Sequence, residues 1–534
     1  MKKFRIAVQI AFFLLFFVLL ILTEYSGTNE IKYPVKFFLN FNPLLFISTI
    51  FATHGISAEF PRAFFLSLFI VILTIFLGRA YCGWVCPLGS LNHFVSSLSS
   101  KRRFNKRKND DRFKNWYRLK YFILIFILIS ALFTVNLSGI LDPLSLLIRS
   151  FAVSINPVIN YLTRTVFDSL YFTEIKAITA VSEPIYDVFK KIYLSFSQPY
   201  FSQVLFIGIL FIGILLLNLI RDRFWCRFLC PLGALLGIIA RFSFIEMTFD
   251  KKCRHCGDCV EKCHGGREND EGISWKPSEC LVCYCCEGVC NEKLSAFQFR
   301  VPFKRKASGI NLERRHVVAS LASGLLAVPF LRINPLQAMP SPLLVRPPGA
   351  VDENRFLERC VRCGECMKVC LTNGLQPTLF EAGLEGIWSP VLVSRLGYCE
   401  YYCTLCGQVC PTGAIKELTA KEKVKVKIGL AFIDRNRCLP YALDEPCIVC
   451  EEVCPTPKKA IWFRETKTVT KAGKEITLKQ PVVDPGLCIG CGICENKCPV
   501  IDKPAIVVTS IGESRSRTNQ IPLSLGREVF GKRE

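Results

Sequence analysis

Six quartets of cysteine constrain this chain more than any other feature. Cys253, Cys256, Cys259 and Cys263, then Cys280, Cys283, Cys286 and Cys290, each read C-x2-C-x2-C-x3-C. Cys360, Cys363, Cys366 and Cys370 repeat that spacing, as do Cys488, Cys491, Cys494 and Cys498. Cys399, Cys403, Cys406 and Cys410 widen the first gap by one residue, and Cys438, Cys447, Cys450 and Cys454 open it to eight. Three closely spaced thiolates on one looping segment, with a fourth from a remote cysteine, suit a compact iron–sulfur core. One set alone would also suit zinc. Six sets in one chain read as ligands of six [4Fe–4S] clusters. Such segments fold as short strands and turns around metal, with little conventional core.

At 534 residues the chain should hold several domains. Hydrophobic residues make up 51%, and 43 residues are Phe, which excludes an ordinary soluble protein. The 29 cysteines would mean disulfides in a small secreted chain, but their spacings are those of metal ligands assembled under reducing conditions. The net charge of +23 reads as basic loops on the cytoplasmic face of a membrane, not as a nucleic-acid surface.

Ile6–Thr23 is an apolar run long enough to span a bilayer. A cleaved signal peptide would look similar, but no small-residue cleavage site follows. Ala63–Leu77 with its flanks, Tyr121–Leu141 and Gln203–Ile220 are three further expected spans. Phe37–Thr53, broken by Asn40, Asn42 and Pro43, is expected to lie at the interface. From Arg79 to Lys120 eleven Lys or Arg face two acids, whereas Leu141–Ser202 holds five of each sign. The positive-inside rule then puts the amino terminus and Arg79–Lys120 in the cytoplasm, with Glu24–Pro61 and Leu141–Ser202 outside. By alternation Lys251–Arg300 is cytoplasmic.

His316–Leu331 is a shorter fifth apolar segment behind Arg314-Arg315, a partial match to a twin-arginine export signal. As a span it carries the remaining residues outward, the favoured reading; as an interfacial helix it leaves them in the cytoplasm. The expected fold is an α-helical membrane domain of four spans plus a fifth, with α+β ferredoxin-like multi-cluster domains. Residues 1–246 form the transmembrane part and 247–303 a cytoplasmic dicluster ferredoxin. Residues 304–345 hold the basic segment, the fifth helix and a Pro-rich linker, and 346–534 the four-cluster domain.

In two-cluster ferredoxins the fourth cysteine of each motif serves the other cluster. That pairs Cys253, Cys256 and Cys259 with Cys290, and Cys280, Cys283 and Cys286 with Cys263, leaving Cys285 spare. The four distal sets should exchange cysteines pairwise too; the spacing does not say which sets are partners, and resemblance to multicluster ferredoxin subunits implies a nested order, first with fourth and second with third. Two C-x3-C-P motifs follow expected spans: Cys82 and Cys86 within Y-C-G-W-V-C-P-L-G, and Cys226 and Cys230 within W-C-R-F-L-C-P-L-G. Their four thiols can meet as a seventh cluster site, as redox-active dithiols or as a structural metal site. C-x-x-C-H and G-x-G-x-x-G are both absent, so neither haem nor a nucleotide is indicated. A lipid-soluble quinol is then the expected electron source. Its oxidation needs a pocket near one leaflet, for which His54, Asp142 and Arg149 are the outward-side candidates, unless they are ordinary interfacial residues.

The stretches G-R-A-Y-C-G-W-V-C-P-L-G and R-F-W-C-R-F-L-C-P-L-G-A-L-L-G, with the Cys253–Cys290 dicluster, resemble the NapH family of membrane ferredoxins and the membrane half of NosR-type proteins. From Arg314-Arg315 through Arg346-Pro347-Pro348-Gly349-Ala350 and the four-cluster region, the chain resembles the NapG/MauM family of exported ferredoxins. The resemblance implies a fusion of two normally separate subunits in the inner membrane. It would act as a quinol dehydrogenase passing electrons from menaquinol or ubiquinol to a periplasmic c-type cytochrome or terminal reductase. Two alternatives stay open: a ferredoxin–quinone conduit with every cluster in the cytoplasm, and a redox protein for metalloenzyme assembly or maintenance. His264, Asn291 and Leu371 depart from the family pattern, which often has proline there.

Overall fold

A computed structural model of the chain describes residues 1–55, 61–98, 116–249, 253, 256, 258–269, 273–290, 295–300, 313–332, 341–469 and 475–520. Long apolar stretches become helices that form a bundle: α1 (Lys2–Leu22), α2 (Pro43–Thr53), α3 (Pro61–Leu77), α4 (Pro87–Leu98), α5 (Leu119–Leu132), α6 (Pro143–Ser150), α7 (Asn156–Tyr171), α8 (Lys176–Ile192), α9 (Val204–Leu216), α10 (Pro231–Ala240) and α11 (Arg314–Arg332). Proline sits in the first turn of α2, α6, α7 and α10, where its missing N–H costs nothing.

Of the four expected spans, α1 is the one helix long and apolar enough to cross a membrane. The others are shorter. The Tyr121–Leu141 stretch breaks after Leu132, and the Gln203–Ile220 stretch is α9 followed by a 3-10 turn to Leu219. At 1.5 Å per residue, α3, α5 and α9 reach only about 20–26 Å, against about 30 Å of hydrocarbon. The Phe37–Thr53 stretch is largely buried: α2 packs into the bundle through Leu44, Leu45, Ser48, Thr49 and Ala52, while Phe37 and Phe51 stay exposed. Apolar side chains nevertheless cover the outside of the bundle, with Phe65 on α3 65% exposed and Leu205 and Ile209 on α9 77% and 69%.

The two cysteine-rich units sit at opposite ends of α5. At its start the Glu279 carboxylate accepts from Lys120 Nζ and from the Tyr121 hydroxyl at 2.7 Å. Just past its end, Asn136 Nδ2 donates to the Glu358 carbonyl at 2.8 Å. Helix α11 lies along α5 in the same direction: Arg118 pairs with Glu313 at 3.1 Å, Ser130 Oγ donates to the Gly324 carbonyl at 3.4 Å, and Arg332 reaches Thr134. The segment expected as a fifth span therefore carries the chain from the dicluster end to the four-cluster end.

The cysteine-rich units are built from two-stranded antiparallel sheets: β1 (Ile245–Phe249) with β4 (Ser295–Phe299), β2 (Arg267–Asn269) with β3 (Ile273–Trp275), β5 (Leu375–Pro377) with β6 (Pro390–Leu392), β7 (Leu430–Ile433) with β10 (Ile506–Thr509), and β8 (Ile461–Val469) with β9 (Glu475–Val483). The distal unit folds as two halves. A bridge between Ala350 and Ile415 closes the first around the motifs at Cys360 and Cys399, and β7 with β10 closes the second around those at Cys438 and Cys488.

Candidate metal centres

Closing each half by its outer strands decides which motifs share ligands. One cavity is lined by Cys360, Cys363, Cys366 and Cys410, and its neighbour by Cys370, Cys399, Cys403 and Cys406. A third is lined by Cys438, Cys447, Cys450 and Cys498. Cys488, Cys491 and Cys494 are within electrostatic reach of Cys454, which completes the fourth set. The pairing is thus first with second and third with fourth, not nested. The backbone N–H of Cys399 donates to the Cys491 carbonyl at 2.8 Å and joins the halves.

In the dicluster unit Cys263, Cys280, Cys283 and Cys286 line one cavity, the set expected from the spacing. The loop carrying Cys253 and Cys256 lies partly outside the described residues. Cys285, off the spacing, is buried beside Cys283, and with His264 these form the one group of three donors within 4.8 Å of one another among the described residues. Four sulfurs on one zinc, each about 2.3 Å from it, would lie about 3.8 Å apart. The wider quartets fit a cubane core and not a single ion.

The two C-x3-C-P motifs have the same local geometry. Tyr81–Val85 and Trp225–Leu229 are each one π-helical turn, a form often found at functional sites. The N–H groups of Cys86 and Cys230 close them on the carbonyls of Tyr81 (3.0 Å) and Trp225 (2.9 Å). Both cysteines then turn extended, and the following proline starts α4 or α10. The four thiols are close enough to perturb one another, and burial together with the neighbouring thiols pushes Cys86 and Cys230 up. Left to themselves Cys86 and Cys230 favour the neutral thiol, so a bound metal is what would draw their thiolates out.

An arginine stands three residues before the first cysteine of each motif, and each acts on cysteines of both motifs. The Arg223 guanidinium donates to the Cys82 carbonyl at 3.4 Å, while Arg79 reaches over Gly233 toward Cys230. Both arginines are buried, and Nε and Nη2 of each lack a hydrogen-bond partner. A buried guanidinium with free donors is costly unless negative charge lies beside it. Arg79 has the Glu279 carboxylate at 3.5 Å, but Arg223 forms no ion pair among the described residues, and a thiolate-ligated cluster would supply the charge beside it that neutral dithiols or a disulfide do not. The quartet therefore fits a cluster. Sequence reading missed these arginines, although the shared R-x2-C spacing was in plain view.

The expected quinol residues are placed differently. His54 is exposed at the end of α2 with φ 48°, whereas Asp142 and Arg149 are buried. Asp142 caps α6, accepting from the N–H groups of Leu144 (3.1 Å) and Ser145 (2.8 Å) and from Asn42. Arg149 donates to the carbonyls of Gly139 (3.2 Å), Ile140 (3.2 Å) and Arg362 (3.0 Å), and its guanidinium lies 4.3 Å from the centre of the Trp388 ring. Asp142 thus bonds within the bundle, whereas Arg149 joins the bundle to the first distal cavity.

Both ends use one device. A Cβ on Gly83 would lie 2.2 Å from the Leu281 carbonyl oxygen, and one on Gly139 would lie 1.9 Å from that of Val361. Leu281 follows Cys280 and Val361 follows Cys360, so each glycine admits the ligand loop of one quartet.

Such a series of thiolate-lined cavities defines an iron–sulfur electron-transfer protein of the ferredoxin type. The family profile described as a 4Fe-4S binding domain matches residues 60–106, 203–247 and 406–431, and another of that description matches 481–500. The chain is 29% identical over 242 residues to an uncharacterized protein of Methanocaldococcus jannaschii, covering 45% of this chain and 79% of that one. It is 33% identical over 142 residues to ferredoxin-type protein NapG of Escherichia coli, covering 26% and 61%. To ferredoxin-type protein NapH of Haemophilus influenzae it is 25% identical over 249 residues, covering 43% and 66%. The chain thus spans less than two thirds of the length of either Nap relative. It is related to these Nap electron-transport proteins and to the methylamine utilization ferredoxin-type protein MauM of Methylorubrum extorquens. No solved structure matches.

Proposed function

We propose that the chain is a membrane-bound quinol dehydrogenase module that carries electrons from the lipid phase, through clusters at both ends of the bundle, to a periplasmic acceptor. The observation that carries this reading is α11, which runs beside α5 and links the dicluster end to the four-cluster end. The apolar exterior of α1, α3 and α9 supports burial in lipid, with neighbouring helices in a multi-pass arrangement. Under the positive-inside rule the dicluster is cytoplasmic and the four-cluster domain periplasmic. Six [4Fe–4S] sites follow from the motif quartets, and Cys82, Cys86, Cys226 and Cys230 make a seventh.

Bound clusters supply one-electron transfer, splitting a two-electron donor such as a quinol into single steps. The residues of the chain set where that charge can sit. Arg79 and Arg223 stabilise negative charge at the seventh quartet, and Arg149 and Arg362 do so where the first distal cavity meets the bundle. The test is anaerobic reduction of the purified chain, followed by electron paramagnetic resonance. Menaquinol should reduce a subset of the clusters that dithionite reduces. If every cluster stays oxidised with menaquinol, direct quinol oxidation is wrong. Reporter fusions after Gly349 test the sidedness separately, and cytoplasmic reporter activity there would refute export.

A further inference from the structure

The four-cluster end of the bundle holds a cleft that uses none of His54, Asp142 or Arg149. Its walls come from stretches far apart in the chain: Glu24 and Tyr25 past α1, Ser195 and Phe196 past α8, and Lys368 and Cys370 of the distal unit. Val369, Cys370 and Leu371 line this cleft and also the cavity of Cys370, Cys399, Cys403 and Cys406. One stretch of backbone carrying a cluster ligand is therefore the wall between the two.

The floor is polar. Lys368, its side chain 3% exposed, donates to the Thr23 carbonyl at 3.0 Å and to Glu24 Oε2 at 2.9 Å. Glu24 Oε1 takes no hydrogen bond among the described residues. The Ser195 hydroxyl is buried without a partner, while its backbone N–H donates to Asn160 Oδ1 at 2.9 Å. A buried hydroxyl and an open carboxylate oxygen on one cleft suit a ligand that supplies hydroxyl groups of its own.

The mouth is apolar. The rings of Tyr25 and Phe196 meet edge to face at 6.1 Å, and Phe196 is 78% exposed. Val181, Ile185, Val188 and Ile192, at helical spacing along α8, are exposed and lead toward Phe196. A helix with such a stripe belongs at a lipid boundary. Glu24 stands two residues beyond α1, the helix long enough to cross a membrane, which sets the cleft at the same level.

We propose that this cleft seats the head group of a quinol, its ring against Tyr25 and Phe196 and one hydroxyl reaching Glu24 and Ser195. The enclosed part measures about 20 Å³, room for a hydroxyl, and the exposed Phe196 ring can turn aside for the quinol ring. On oxidation both quinol hydroxyls become carbonyls. Two electrons leave singly through the shared wall to the oxidised cluster of the Cys370 quartet, the first moving on before the second arrives. The two protons leave in turn by the Glu24 carboxylate to water at the exposed loop after Tyr25. The proposal rests on the quinol reading above and says where on the chain that oxidation takes place.

The full-length, cluster-loaded chain in detergent is illuminated with a menaquinone analogue carrying an aryl azide, and labelled peptides are identified by mass spectrometry. Label should fall on peptides containing Tyr25 or Phe196 and be displaced by excess menaquinone. Anaerobic stopped flow then follows reduction of the clusters by menadiol. Phe196→Ala should raise the half-saturating menadiol concentration about tenfold. Glu24→Gln should keep the label and lower the maximal rate about a hundredfold. Phe172→Ala, equally exposed but outside the cleft, should behave as the parent. Dithionite should reduce every variant to the same extent; where a variant fails this check, labelling of the parent decides. Label elsewhere, or equal behaviour of Phe196→Ala and Phe172→Ala, would overturn the site, and continued reduction by menadiol would then leave the quinol reading standing. Glu24→Gln at the parent's rate would overturn the part given to the carboxylate. Displaceable label in the cleft with no cluster reduced by menadiol would instead refute quinol oxidation and uphold the seat for the ring.

Discussion

Replacing Gly139 by alanine should loosen the joint between the bundle and the first distal quartet. The new methyl carbon would lie 1.9 Å from the Val361 carbonyl oxygen and 2.5 Å from its carbon, on the loop between Cys360 and Cys363. To restore the ordinary 3.4 Å contact, that loop must retreat by about 1.5 Å in a close-packed interior. Overpacking of this kind costs about 1–3 kcal/mol. The retreat also stretches the bonds from Arg149 to the Arg362 carbonyl (3.0 Å) and from Asn136 to the Glu358 carbonyl (2.8 Å). Each is worth about 1 kcal/mol, more where the donor is charged. Together the joint should weaken by about 3–5 kcal/mol, a loss of about two to four orders of magnitude in protection where opening is local. Hydrogen–deuterium exchange read by mass spectrometry on peptides 136–150 and 358–366 measures it. Gly213→Ala is the control, because a Cβ there meets nothing within 4 Å and alanine favours helix by about 1 kcal/mol. If Gly139→Ala exchanges as slowly as Gly213→Ala, the close approach of the two backbones is not what holds the units together.

Gly83→Ala should produce the same loosening at the dicluster end, since its Cβ would lie 2.2 Å from the Leu281 carbonyl; exchange in peptides spanning Cys280–Cys286 should rise while the distal end keeps its protection. Sequential pairing predicts that Cys410→Ser abolishes the signal of the cluster seated at Cys360, Cys363 and Cys366, with the motifs at Cys438 and Cys488 untouched; loss of a cluster in the second half would restore the nested pairing. Cys226→Ser should lower the iron content per chain by about four atoms if the seventh quartet holds a cluster, whereas Cys285→Ser should leave iron content unchanged. Burial opposes charge on Glu353, but the Arg346 and Arg515 guanidiniums at 2.6 and 2.8 Å more than offset it and hold its pKa down to about 2. Because the folded pKa is depressed, its stabilisation is complete above the ordinary glutamate value of about 4.3 and fades as pH falls toward about 2. Discounted for partial exposure, Glu353→Gln should cost about 2 kcal/mol at neutral pH, measured by denaturant unfolding followed through near-ultraviolet circular dichroism; an unchanged midpoint refutes the assignment.

The cysteine spacings by themselves determined the chemistry, because three thiolates within one short loop are a local property that needs no knowledge of the fold. Cys263 joining Cys280, Cys283 and Cys286 follows from the same arithmetic. Apolar run lengths located the helices, but whether a run stays one helix depends on what it packs against. That is why Tyr121–Leu141 breaks after Leu132 and Phe37–Thr53 turns inward as α2. The partnership of distal motifs lay beyond the sequence, since the spacing within each is nearly the same and the choice is made by Ala350 bridging Ile415 and by β7 pairing with β10. Polarity marked Asp142 and Arg149 as candidates for a site, and only the fold shows that Asp142 caps α6 and that Arg149 bonds to the Arg362 carbonyl. The arginines behind the two C-x3-C-P motifs were legible as a repeat, yet their gathering around all four cysteines is a fact of tertiary structure. Ligand type and spacing are written along the chain; which ligands meet, and which charges they meet, is settled by contacts between residues far apart in the sequence.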